Sequence, residues 1–181
     1  MVLIYDELND ELKGEQFVKK AIRLYPDDVC VRYLAANHYR NYGKIEEAKK
    51  QVQLALQINP NDLDAAILYG YLLLDSKEFD QAIRILTPFV NEKDPNSILL
   101  YTLAYAYEKA KKPQEAIRLY QKALQFRNSD EITRYALERC VIENTPFEDP
   151  KRIELANYHF DRGDLFLKRS KIINYYQSYK R

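Results

Sequence analysis

Sliding the sequence past itself by 34 residues lays small and aromatic residues on their own kind. Ala48, Ala82 and Ala116 superimpose, each preceded by Glu or Gln. Ala21, Ala55 and Ala123 form a second column, with Phe89 in the remaining slot. Tyr5, Tyr39 and Tyr107 form a third, with Leu73 between them, and Ala36, Gly70 and Ala104 a fourth. Pro26 and Pro60 make a fifth. A period of this length demands a stack of like units, because one such unit cannot bury its apolar face alone and draws its core from its neighbours.

The spacing inside one period predicts two amphipathic helices. Leu34, Ala35 and Tyr39 mark the first, and Ile45, Ala48, Val52, Ala55, Leu56 and Ile58 the second. Between them Asn41-Tyr42-Gly43-Lys44 is a short turn in which Gly43 can take the left-handed conformation that ends a helix. Asn59-Pro60-Asn61-Asp62 ends the second helix, and Asp62 is the expected N-cap of the next. Pro113 falls in a first helical turn, where a missing N–H costs nothing. With four glycines in the whole chain and no Gly-rich tract, the expectation is an all-α protein.

The pattern Ala36…Tyr39…Gly43…Ala48…Ala55…Pro60 resembles the tetratricopeptide repeat (TPR) family. It recurs as Gly70…Phe79…Ala82 and as Leu103-Ala104…Tyr107…Ala116…Tyr120…Ala123. The resemblance implies an α-α solenoid, a right-handed superhelix of antiparallel helix pairs. Small residues would sit where paired helices cross, and aromatics would fill the gap to the next pair. The divisions are a partial first repeat over 1–28, repeats over 29–62, 63–96 and 97–130, a helix plus Pro-containing loop over 131–150, and a divergent repeat-like pair over 151–181. That pair is read as helices over 151–162 and 165–180 around a Gly163-Asp164 turn. All belong to one solenoid domain. The chain opens inside a repeat and closes on an uncapped helix, so it reads as a piece of a longer protein, the alternative being a small natural chain with frayed or paired ends.

Two departures stand out. Pro88 lies within a predicted second helix, where it removes a backbone hydrogen bond and should kink or shorten it. After Asp130 the 34-residue phase fails, although Glu131–Glu143 reads as a helix capped by Ser129 or Asp130.

Nothing in the sequence points to catalysis. It has no Gly-rich phosphate loop, no His-Glu-x-x-His, no Gly-x-Ser-x-Gly and no Cys-x-x-Cys. His38 and His159 fall on helical packing positions, and Cys30 and Cys140 have no basic cluster to activate them. The reading is therefore a non-enzyme without cofactor or metal. Two lone thiols and a start lacking a basic n-region favour a reduced, cytoplasmic compartment, and no run is long enough to span a membrane. A net charge of +1 gives no electrostatic footprint for nucleic acid. Charge is uneven, however: four acidic residues oppose Lys13 in 1–14, and eight basic residues oppose three acidic ones in 151–181. Lys168, Arg169, Lys171, Lys180 and Arg181 could serve nucleic acid but read more simply as a solvated helix face.

The resemblance implies that function lives on the inner face, on the first helix of each pair. Its register carries the groove onto Cys30, Tyr33, Asn37 and Arg40, then Asp64, Ile67, Tyr71 and Leu74. It continues through Ile98, Tyr101, Tyr105 and Glu108 to Ile132, Tyr135 and Arg139. Five tyrosines on one stripe offer rigid contact area at low entropic cost. The expected occupant is a protein or peptide, with self-association or packing within a larger protein as the second reading. The carboxylate clamp by which family members hold chaperone tails is matched only by Asn37. Tyr33, Asp64, Leu68, Ile98 and Thr102 occupy its other slots, which argues against chaperone-tail binding.

Overall fold

A computed structural model describes residues 10–91, 93, 95–126, 130–146, 148–160 and 162. Helices α1 (Glu11–Leu24), α2 (Val29–Asn41), α3 (Ile45–Ile58) and α4 (Leu63–Asp75) follow one another across short turns. Next come α5 (Phe79–Leu86), a 3-10 turn at Thr87–Phe89, α6 (Ser97–Lys109), α7 (Pro113–Phe126) and α8 (Glu131–Asn144). Residues 150–160 are also helical and form α9. Tyr5, Ser129, the Gly163-Asp164 turn, the helix expected over 165–180 and the C-terminal basic cluster lie outside the described residues.

From α1 to α8 each helix packs against the next in the chain, as a solenoid requires. In addition α2 packs on α4 and α4 on α6, more closely than the second helices approach each other. The crowded layer of a curved stack is its inner one, so α2, α4 and α6 make the inner layer.

Local chemistry sets each junction. Asp28, Asp62, Asn96 and Asp130, each 34 residues apart, cap α2, α4, α6 and α8. Their side chains accept from the N–H groups of Val31, Ala65, Leu99 and Thr133 at 3.1, 2.8, 3.0 and 3.3 Å. A cap of this kind contributes about 1 kcal/mol, and here the repeat phase extends through the start of α8. The turns within pairs are equally regular. Gly43 has φ 72°, and Lys77 and Lys111, 34 and 68 residues on, have φ 62° and 59°. At each, that residue and the one after it donate back to the preceding helix, closing its C-terminus in a Schellman arrangement (Lys44 N to Tyr39 O, 2.8 Å).

The small columns mark close crossings. Ala36, Ala48, Ala55, Ala82, Ala104 and Ala116 are all fully buried. A Cβ on Gly70 would lie 2.8 and 2.9 Å from the methyls of buried Leu86. Pro88 does shorten its helix: α5 has 8 residues where α3 and α7 have 14, and Phe89 folds back half-buried against the core. At the far end Arg152 of α9 donates to the carbonyls of Ile142 and Thr145, covering the last carbonyls of α8. Arg134 lies 3.7 Å from the Tyr158 ring, and His159 reaches Glu138 at 2.8 Å, so α9 is held on α8.

Candidate functional site

The stripe carried by α2, α4, α6 and α8 starts at Arg40. Its guanidinium sits 5.5 Å from the centre of the Tyr71 ring on the next inner helix and 3.7 Å from the Asp75 carboxylate. Tyr101 and Tyr105, one turn apart on α6, stack with centroids 6.4 Å apart and planes within 10°. Burial, and then the neighbouring Tyr105 and Tyr71, push the Tyr101 phenol above its ordinary pKa. Tyr71 and Tyr101, on neighbouring inner helices, pack against the same core.

Across the α6–α8 junction the groups are charged. Arg139 Nη2 donates to Glu108 Oε1 at 2.7 Å, and the hydroxyl of Tyr120, on α7, donates to Glu108 Oε2 at 3.0 Å. Lys109 Nζ lies 3.3 Å from the same carboxylate and 4.9 Å from the Tyr105 ring centre. The Glu108 side chain is only 9% exposed. It ties α6, α7 and α8 together more than it presents a charge to solvent. Arg139 also lies 5.9 Å from the ring of Tyr135, which is exposed.

Other members of the stripe behave differently. Ile67 is buried to 7% exposure within the core, because α4 has inner helices on both sides and an aliphatic chain at this position is covered by them. It offers little surface to a partner. Asn37 donates its side-chain amide to the Tyr33 carbonyl of its own helix at 3.2 Å. Leu74 and Tyr33 are half-buried against the core. Lys109, Asp75 and Tyr120 were not expected at the site. The first could have been inferred from its place four residues after Tyr105, the spacing that joins Tyr135 to Arg139. Tyr120 reaches the site from a second helix, which no register argument predicts.

A family model described as tetratricopeptide repeat matches residues 5–136. The chain belongs to that family. Its fold is the all-α TPR-type right-handed superhelix of antiparallel pairs. The Hsp70-Hsp90 organising protein of Plasmodium falciparum is 28% identical over an alignment that covers 81% of this chain. The chain spans about a quarter of that curated relative's length (27%). Among solved structures, MamA of Desulfovibrio magneticus RS-1 superposes with TM-score 0.75 at 20% identity, covering 93% of this chain and 92% of MamA. PilF of Pseudomonas aeruginosa gives 0.71 at 16% identity, covering 78% and 65% respectively. At these identities the structural likeness is one of fold, and function has to be read from the site.

Cys140 is fully buried, and burial, then Glu108, push its thiol up to about 11. Cys30 is exposed. His38 is fully buried, its ring 5.7 Å from that of Tyr39 and 4.9 Å from that of Tyr42. Among the described residues no group of three or more His, Cys, Asp or Glu is placed to hold a metal ion, and no helix is long and apolar enough to cross a membrane.

Proposed function

We propose that this TPR chain is a non-catalytic protein-interaction scaffold that receives a peptide segment of its partner along the inner faces of α2, α4, α6 and α8. The observation that carries the reading is that Tyr71, Tyr101 and Tyr105 of this stripe are each half-buried, the last two stacked on one another. Tyrosines held in fixed geometry lose little entropy on binding, and such anchors dominate interface energies. Tyr135, Arg40 and Arg139 extend the contact surface, while Ile67 and Glu108 support it from beneath.

The name of the Plasmodium relative speaks of Hsp70 and Hsp90, but the residues at the clamp slots do not favour carrying this over. Asn37 is engaged by its own helix, Leu68 and Thr102 are buried, and the Thr102 hydroxyl donates to the Ile98 carbonyl at 2.7 Å. Panning a random peptide library against the wild type, Tyr71→Ala and Tyr105→Ala tests the groove. Peptides selected on the wild type should lose at least about tenfold in affinity for both variants while far-ultraviolet circular dichroism is unchanged. Equal affinity for all three proteins would sink the assignment.

A further inference from the structure

The cap residues Asp28, Asp62, Asn96 and Asp130 open the inner helices at intervals of 34, and the next interval falls on Asp164. α9 belongs with α8. Arg134 meets Tyr158, Glu138 meets His159 and the Ile142 carbonyl meets Arg152, so the two run antiparallel as an inner and an outer helix. Residues from 165 onward then stand in the phase of a further inner helix.

The place where such a helix would pack is apolar and uncovered. Lys151, Leu155 and Tyr158 of α9 border the space toward Gln121 and Leu124 of α7. Another side of α9 carries Ile153, Ala156 and Phe160, at i, i+3 and i+7, all exposed. Ile153 and Ala156 join Ile142, Glu138 and His159 around a groove of about 370 Å³. Ile142, on α8, is 57% exposed. In a stacked array an apolar flank of this kind is where the next element docks.

The register names the occupant. Between neighbouring inner helices side chains meet 31 residues apart: the Arg40 guanidinium lies 5.5 Å from the Tyr71 ring centre, and Arg139 donates to Glu108 at 2.7 Å. The same step leads from Ile142 to Ile173 and from Glu138 to Arg169. Isoleucine thus falls opposite isoleucine, and guanidinium opposite carboxylate. At helical spacing Leu165, Phe166, Ile172, Ile173, Tyr176 and Tyr179 share one face, with Arg169 the charge set within it. Glu138 is the acid among the residues that line the groove. A helix over 165–180 would be about 24 Å long and α8 is about 21 Å, so one can cover the other.

We propose that residues 165–180 form a further inner helix, opened by Asp164, that lies in the groove between α8 and α9 with Ile173 on Ile142 and Arg169 on Glu138. The occupant of this groove is a segment of the chain itself. Glu138, already 2.8 Å from His159 of α9, then joins three helices as Glu108 does one repeat earlier. Ile142 and Ile153 are withdrawn from other proteins.

Hydrogen–deuterium exchange of the full chain tests this, read on fragments from 165–180 against a synthetic peptide of the same residues, which is too short to be a stable helix by itself. Exchange in the wild type should be at least about tenfold slower than in the peptide, and equal at about 2 and 200 μM protein. Ile142→Asp should bring it back to within about twofold of the peptide rate. Glu138→Arg and Arg169→Glu should each speed it at least about threefold, and the two together should restore it to within about twofold of the wild type. Exchange in α6 reports whether the solenoid stays folded, and if Ile142→Asp disturbs it the charge exchange decides. Wild-type exchange at the peptide rate overturns the proposal. Protection that appears only at the higher concentration gives the groove to a second copy and overturns it too. Protection that survives both Ile142→Asp and Glu138→Arg, or that the double exchange fails to restore, overturns the register on which the docking rests.

Discussion

Tyr120→Phe removes one hydroxyl from a fully buried ring, and its surroundings set the cost. The hydroxyl donates to Glu108 at 3.0 Å, and burial keeps the phenol protonated well above its ordinary range. A hydrogen bond to a charged acceptor contributes about 1.5–3 kcal/mol. Glu108 retains Arg139 at 2.7 Å in the variant, so its charge is not orphaned and the cost should fall near the lower figure, about 1.5 kcal/mol. Glu108→Ala should cost more, about 3 kcal/mol, because it strips both Arg139 and Tyr120 of their partner. Arg139 is 32% exposed and can turn to water, which keeps the figure from rising further. If the hydroxyl acts through Glu108, then Tyr120→Phe added to Glu108→Ala should cost almost nothing, a coupling of about 1.5 kcal/mol. Urea unfolding of the wild type, both single variants and the double variant, followed by circular dichroism, closes the cycle. A coupling below about 0.3 kcal/mol, the scatter between independent sites, would refute the role given to Glu108 as the joint of three helices.

Three further outcomes follow from the turns, the ion pairs and the thiols. Lys77→Gly and Lys111→Gly should each stabilise by about 0.5–1 kcal/mol, because both residues hold positive φ, whereas Gly43→Ala should cost about 1 kcal/mol. A lower midpoint of thermal unfolding for the two Lys variants would contradict this. Glu15 is paired with Lys19 at 2.8 Å and Lys44 at 2.7 Å, and these hydrogen bonds, Lys19 first, lower its carboxyl from 4.5 to about 2. Its contribution is therefore present above about pH 4.5 and lost as pH falls toward 2. Glu15→Gln should accordingly be less stable than the wild type at neutral pH, with the gap closing across that interval, and a pH-independent gap would refute the assignment. A thiol reagent should modify exposed Cys30 in the native chain and reach buried Cys140 only in denaturant, and equal rates at both would contradict the burial of Cys140.

The sequence by itself determined the solenoid. Helix period, small-residue columns and turn glycine are local or strictly periodic signals, and each repeat restates them, so Ala48, Ala82 and Ala116 could be aligned without coordinates. The caps Asp28, Asp62, Asn96 and Asp130 follow the same period, yet only the hydrogen bonds show that all four act. Lys77 and Lys111 in Gly43's conformation were not legible, because the following helix forces a backbone that their side chains disfavour. The candidate site was legible only as a stripe of positions, since one face of a helix is set by its register. What each position does was decided between helices. Ile67 stands in register with Tyr33 and Tyr101 but is covered by the inner helices on both sides. Glu108 looked like a charge offered to a partner until Tyr120, twelve residues on, and Arg139, thirty-one residues on, closed around it. Such groupings depend on the distance and tilt between stacked pairs, which no single repeat encodes, and tertiary packing alone fixed which tyrosines meet.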